Sequence, residues 1–557
     1  MTVTILTARL VRTMDDAVPT ATAVAIRGDR ILAVGTGEGL AATYPGAVVD
    51  GRYADAVLTP GFVEAHSHMG LGALLGPHYL GFFPRTAPDG APRPGAQSFD
   101  EVLAALRAWD AELAPEEPLL AHGLDMLAHP GAALNRHVLD AVSTTRPILV
   151  VHQSLHVATA NSALLEALGW HAGTDATGVV HGEDALPTGE LHELVAMTPA
   201  LEALGVHAFG GSTAAGMLDL AHDARNHGCT TATDLANTDL LRPGGLDTLL
   251  EVTARDDFPL RVVPATFGAP TRSAEEAAQV AALVASSQGS ATSKLHLGTV
   301  KLMLDGSIQQ FTARLQEPGY LGGEGPGVWS TDPDLFREQF HAFHAAGLNI
   351  HVHANGDEAT ELVLDAVEEA LARTPRWNHR HTVTHSQLST RAQYRRMAEL
   401  GVCANIFSNH IWYWGDQHID ATVGPDRVLR MCAARTAIDA GVTIAFHCDT
   451  PVTPLDPLAT ASYAVERRTP TGRSWGEAEA VTVKEALEAI TIGPAYQLKL
   501  DHLLGSIVPG KYADFAVLDL DPLVVAEPRE LREIAVVGTV VGGAHFRAPA
   551  AGPAGPA

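Results

Sequence analysis

Short runs of Val, Ile, Leu and Thr alternate with helical patterns through the middle of this chain, and that alternation limits its fold more than any other feature. One run, 56–62, leads into His66, and seven more cover 230–234, 260–265, 298–302, 349–353, 382–385, 402–406 and 442–446. Strands that are buried on both faces and separated by helices read as a parallel α/β sheet. Eight of them match a (β/α)8 TIM-like barrel. A ninth run, 147–152, is surplus to the barrel, and we assign it to an insertion over about 70–215 after the first barrel strand.

Both ends of the chain read differently. Runs 22–26 and 30–34 flank Arg27-Gly28-Asp29, a hairpin signal with its turn at Gly-Asp. A similar β-rich pattern returns in Gly505-Ser-Ile-Val-Pro-Gly-Lys-Tyr-Ala-Asp514. The expected organisation is therefore a small β-sandwich built from 1–56 and 493–547, enclosing a barrel over 57–492. The Ala/Gly/Pro-rich tail 548–557 is expected to be disordered.

The 557 residues carry a net charge of −27, and no basic stripe is visible, so nucleic acid is not an expected partner. Cys229, Cys403, Cys432 and Cys448 lack the spacing of a disulfide framework or zinc knot. The start has no basic n-region or cleavage site, and no apolar run reaches the roughly 18 residues that span a bilayer. No membrane association and a cytoplasmic location are expected.

Barrels of this type gather their functional groups at the C-terminal ends of the strands. Metal-competent side chains fall there in this sequence: His66, His68, Lys301, His353, His385 and Asp449. His66 and His68 are two apart, so on extended backbone both imidazoles point to one side and converge. Lysine is scarce, with only Lys294, Lys301, Lys484, Lys499 and Lys511, which makes one at a strand end worth weighing.

With these motifs in order the sequence resembles the amidohydrolase superfamily, and within it the YtcJ-like amidohydrolase family 3 enzymes, including N-substituted formamide deformylase. The resemblance runs through Thr59-Pro-Gly-Phe-Val-Glu-Ala-His66-Ser-His68, Val300-Lys301-Leu-Met-Leu-Asp305-Gly306-Ser307 and His351-Val-His353-Ala-Asn-Gly356-Asp357. It continues in Thr384-His385-Ser-Gln387, His447-Cys-Asp449-Thr-Pro451 and Gly505 to Asp514, and so covers nearly the whole chain.

The resemblance implies one or two divalent metals per chain, with zinc expected, and a metal-activated water. His66 and His68 would hold one metal, and His353 and His385 the second. Lys301, carboxylated, would bridge them. Against that stands a plain buried ion pair of Lys301 with Asp305 or another acid. Asp449 would act as general base and then general acid. His351, two residues before His353, is the alternative ligand if the register differs. The eighth-strand motif departs from the common Gly-Ser-Asp form, so His447 reads as an orienting partner of Asp449, a substrate contact or an extra ligand.

Substrate contacts are expected from Trp412 and Trp414 in the loop after the seventh strand, and from His156 and Asn161 in the insertion. The implied activity is hydrolysis of a C–N bond (amide, formamide or cyclic amide) in a small apolar or aromatic compound, by a homodimer. A decarboxylase, isomerase or deaminase on the same barrel, or a catalytically silent ligand-binding relative, are the alternatives.

Overall fold

The computed structural model describes residues 2–71, 76, 78–131, 133–174, 176–206, 212–323 and 325–549; most of the expected tail lies outside them. Eight parallel strands form the central sheet: β1 (Phe62–Glu64), β2 (Cys229–Asn237), β3 (Arg261–Phe267), β4 (Thr299–Met303), β5 (Asn349–Ala354), β6 (Thr382–His385), β7 (Cys403–Ile406) and β8 (Ile444–Phe446). They pair in chain order, with Lys301 level with His351 and His353 level with Thr384. β1 and β8 are joined just past their ends. There Ser67 bridges Thr450, His68 N donates to Thr450 O at 3.0 Å, and Asp449 N donates to His66 O at 3.0 Å. Lower down, Val63 N and Phe446 N donate to the carbonyls of Ile490 and Ala489, so a turn fills the remaining seam.

The first barrel strand is not the run 56–62 expected from sequence. Residues Val48–Pro60 form a strand of the terminal sheet, and only Phe62–Glu64 enter the barrel. The switch occurs at Gly61, whose N–H donates to Asp514 O. A Cβ at Gly61 would lie 2.0 Å from the Thr230 hydroxyl, so only glycine lets the chain pass this close to β2. Pro60-Gly61, a strand-breaking pair inside the run, marks where one sheet ends.

Both termini join in one seven-stranded sheet. Its order is Ala544–Arg547, Val536–Val541, Phe515–Leu518, Val48–Pro60, Val3–Arg12, Thr20–Arg27, Arg30–Gly35. The halves fuse where Phe515–Leu518 runs antiparallel to residues 57–60. Where a sandwich was expected, hydrogen bonding thus makes the β structure of the two ends continuous, and Leu6, Val24, Leu58, Phe515 and Val540 share one apolar cluster. The hairpin closes at Arg27 and Arg30 around Gly28, whose φ of 63° supplies the turn.

A second compact unit comprises Met69–Asp219 with Pro451–Pro454. Its five-stranded sheet runs Val179–His181, Pro187–His192, Val157–Ala160, Ile148–His152, Leu119–Leu124, and it holds the strand that was surplus to the barrel.

Candidate metal centre

Two of the strand ends turn sharply at the site residues themselves. His385 and Asp449 adopt φ of 75° and 56°, a left-handed conformation uncommon for such residues and typical of functional sites held by their surroundings. His66 is held by Glu64, whose Oε1 accepts from His66 N at 2.9 Å and from Cys448 N at 3.1 Å. Glu64 thereby ties the end of β1 to the end of β8. Burial pushes its carboxyl up to about 7.

Three groups converge above this tie. His66 Nε2 and His68 Nε2 lie 3.2 Å apart, and both face Asp449 Oδ1, at 3.2 Å and 3.1 Å. His385 Nδ1 stands 3.7 Å from Asp449 Oδ2. One donor atom each from His66, His385, His447 and Asp449 fits within 4.8 Å of the others. His447 stacks between the rings of His66 (4.8 Å) and Phe407 (4.6 Å), and neither of its nitrogens has a hydrogen-bond partner. The structure therefore draws His447 into the donor cluster as well as beside Asp449.

His353 takes a different place. Its Nδ1 lies 2.9 Å from His385 Nε2, while its Nε2 is 3.1 Å from Gly306 O and 2.9 Å from Asn355 Nδ2. In this arrangement it backs His385 and lies outside the four-residue group. His351 is deeper, with Nε2 3.1 Å from Asn349 Oδ1.

Lys301 is 3% exposed, and its Nζ has no hydrogen-bond partner. Asp305, the named candidate for an ion pair, accepts from the backbone N–H groups of Arg314, Asn355 and Gly356 at 2.9–3.0 Å. Burial lowers the Lys301 amine to about 7 against the opposing charge of Asp449.

The charge states suit metal ligation. Burial, reinforced by Lys301 and neighbouring histidines, holds His66 well below its ordinary value, and burial takes His447 down to about 3. Neutral imidazoles keep the lone pairs that a metal needs. Burial works to raise Asp449, but the hydrogen bond and charge of His68, with His447 and Lys301, keep it below the usual carboxylate range. Several neutral nitrogens and an ionised carboxylate, left without protein partners at His66 Nδ1, His385 Nδ1 and His447, fit a divalent cation.

The expected substrate contacts have other partners. Trp412 stacks on Tyr463 at 5.3 Å under the Arg532 guanidinium, and Trp414 is buried against Phe407 and His410. These rings pack the loop, since aromatic area is most stabilising where it is covered. Asn161 is engaged in local structure. Its amide caps helix Ser162–Ala167 through Leu164 N, accepts from Ile148 N and donates to the carbonyls of Ser143 and Arg146. That uses its whole hydrogen-bonding capacity in local structure. His156 Nδ1 lies 3.0 Å from Glu193 Oε2.

Two residues escaped the sequence reading. Glu64 was legible only as part of a buried run, although an acid inside such a run is itself a signal. His410 stood within the aromatic segment that drew attention to its neighbours.

The amidohydrolase family model matches residues 54–545. The putative amidohydrolase YtcJ of Bacillus subtilis (strain 168) is 26% identical over 505 residues, 88% of each chain. N-substituted formamide deformylase of Arthrobacter pascens is 27% identical over 547 residues, 96% of each chain. An uncharacterized metal-dependent hydrolase from Pyrococcus horikoshii OT3 shares the fold with a TM-score of 0.70 at 21% identity, covering 94% of this chain and 99% of that one. With the family model spanning the barrel and the C-terminal strands of the terminal sheet, the chain belongs to the amidohydrolase family, among its YtcJ-like members, and is a hydrolase.

Proposed function

We propose that the protein hydrolyses a C–N bond, in an amide, formamide or cyclic amide of a small apolar or aromatic compound, with a divalent metal held by the histidine cluster. The observation that carries this reading is the convergence of His66 Nε2 and His68 Nε2 on one oxygen of Asp449. When bound, the metal, zinc on this donor set, lowers the pKa of water to about 7 and polarises the substrate carbonyl.

His66, His68, His385 and His447 would hold it as neutral ligands. His353 would orient His385 through the 2.9 Å contact or supply a further nitrogen. Asp449, ionised at neutral pH, would accept the proton of the attacking water and return it to the departing nitrogen. The unpartnered Lys301 amine would add to carbon dioxide, losing one proton and becoming a carbamate that would supply oxygen ligands to the metal site. Arginine at this position could not do so, because its guanidinium stays protonated.

The formamide relative makes N-substituted formamides the first probes. Protein purified without a histidine tag is assayed for metal by plasma mass spectrometry and for turnover of formanilide and N-hexylformamide in oxygen-18 water. The expected result is metal on the purified chain and label in the released formate. Close to two metals per chain supports the Lys301 bridge, and close to one makes the site mononuclear. A chain that takes up no zinc or manganese overturns the reading.

A further inference from the structure

The loop that follows β7 contains a second histidine pair, separate from the metal ligands. His410 Nδ1 lies 2.8 Å from His418 Nε2, and the rings are stacked at 10°. His418 Nδ1 in turn lies 2.9 Å from Thr422 Oγ1. All three side chains are buried. Such a line of three groups fixes the ring plane of His410 from behind, because each hydrogen bond constrains the orientation of the next.

The line is spent on one nitrogen only. His410 Nδ1 is engaged by His418, and this line makes no use of His410 Nε2. The ring meets Phe407 edge-on at 4.8 Å, and the same Phe407 is stacked on His447 of the donor cluster. His410 therefore stands beside the cluster, one aromatic ring away, with a polar atom in reserve.

On the reading of this site as a hydrolase, we infer that His410 binds the substrate through an Nε2–H donated to a carbonyl or carboxylate oxygen, and that His418 and Thr422 are positioning residues which hold it in that tautomer. With the Thr422 hydroxyl donating to His418 Nδ1, His418 Nε2–H donates to His410 Nδ1. The remaining proton of His410 then sits on Nε2. Both imidazoles stay neutral, as burial requires of an uncompensated charge. A donor fixed in advance binds a developing or resident negative oxygen without reorganisation.

The test uses the metal-loaded full chain and its His410→Phe, His410→Gln and Thr422→Val variants, with formanilide as probe. Loss of a preorganised donor lowers kcat/KM by about 100-fold in His410→Phe. His410→Gln, which keeps an N–H at similar reach, recovers to within about 10-fold of the parent, and Thr422→Val falls between them. All three are expected to carry the parent's metal content. Independently of turnover, ring-nitrogen chemical shifts of histidine-labelled protein report a protonated Nε2 and bare Nδ1 on His410, and Nε2 moves when formanilide is added. Parental kcat/KM in His410→Phe overturns the inference, as does an Nε2 signal indifferent to the probe. A metal-loaded parent that binds formanilide at His410 but releases no formate counts against the hydrolase reading and leaves the substrate contact standing.

Discussion

His68 and Asp449 are separated by 381 positions in sequence, yet His68 Nε2 lies 3.1 Å from Asp449 Oδ1. That contact closes the barrel chemically where the Ser67–Thr450 bridge closes it mechanically. It also holds Asp449 ionised inside a buried site, so the carboxylate is a base at neutral pH.

Asp449→Asn is therefore expected to keep most of the metal and to lose most of the turnover. An amide cannot accept the proton, and general-base catalysis is worth on the order of 10² to 10⁴ in rate. Metal analysis alongside initial rates on formanilide checks this. A variant with near-parental kcat would remove Asp449 from the proton path.

Lys301→Met is expected to cost metal. The thioether fills the buried space of the lysine stem but cannot be carboxylated. Parent protein equilibrated with carbon-13 bicarbonate should give a carbamate carbon signal that is absent in the variant. If parent and variant bind the same number of metals, Lys301 is not a bridge.

Glu64 separates a geometric role from an ionic one. Glu64→Gln retains an oxygen that can accept from His66 N and Cys448 N, and should leave metal uptake within a few-fold of the parent. Glu64→Ala strands both buried N–H groups, at about 1–3 kcal/mol each, and should lower both thermal midpoint and metal affinity. Equal behaviour of the two variants would show that the charge matters instead.

Away from the site, His227 makes stability depend on pH. Burial pulls its imidazole down, but the hydrogen bond and charge of Asp223, with Asp456, carry it up to about 9. A raised folded-state value means the unfolded chain binds fewer protons in this window. The His227 contribution is then fully present below about 6.5 and lost as pH rises through about 9. Thermal midpoints measured from pH 6 to 10 should fall more steeply in the parent than in Asp223→Asn. Parallel profiles would refute the pairing.

Much of the architecture was legible before any coordinates. β2 through β8 announced themselves as short apolar runs because parallel strands buried on both faces admit little else. His66 and His68 declared a shared side through their spacing, and the strand-end positions of Lys301, His385 and Asp449 followed from barrel geometry. The start of β1 did not: Val57 to Phe62 reads as one strand, whereas the chain switches sheets at Gly61, packed close against Thr230.

Sequence by itself determined which chemistry is available to this protein: histidines, a lysine and an acid at the ends of consecutive strands. Tertiary structure decided how they are used. It set His447 between His66 and Phe407, turned His353 toward His385, and spent Asn161 on a helix cap. It packed Trp412 and Trp414 into their own loop and left the Nζ of Lys301 without a partner. The reason is physical. Periodicity fixes which face of a strand a residue occupies. Which nitrogen meets which oxygen depends on turns and ring stacking between segments hundreds of residues apart, and no local pattern encodes those.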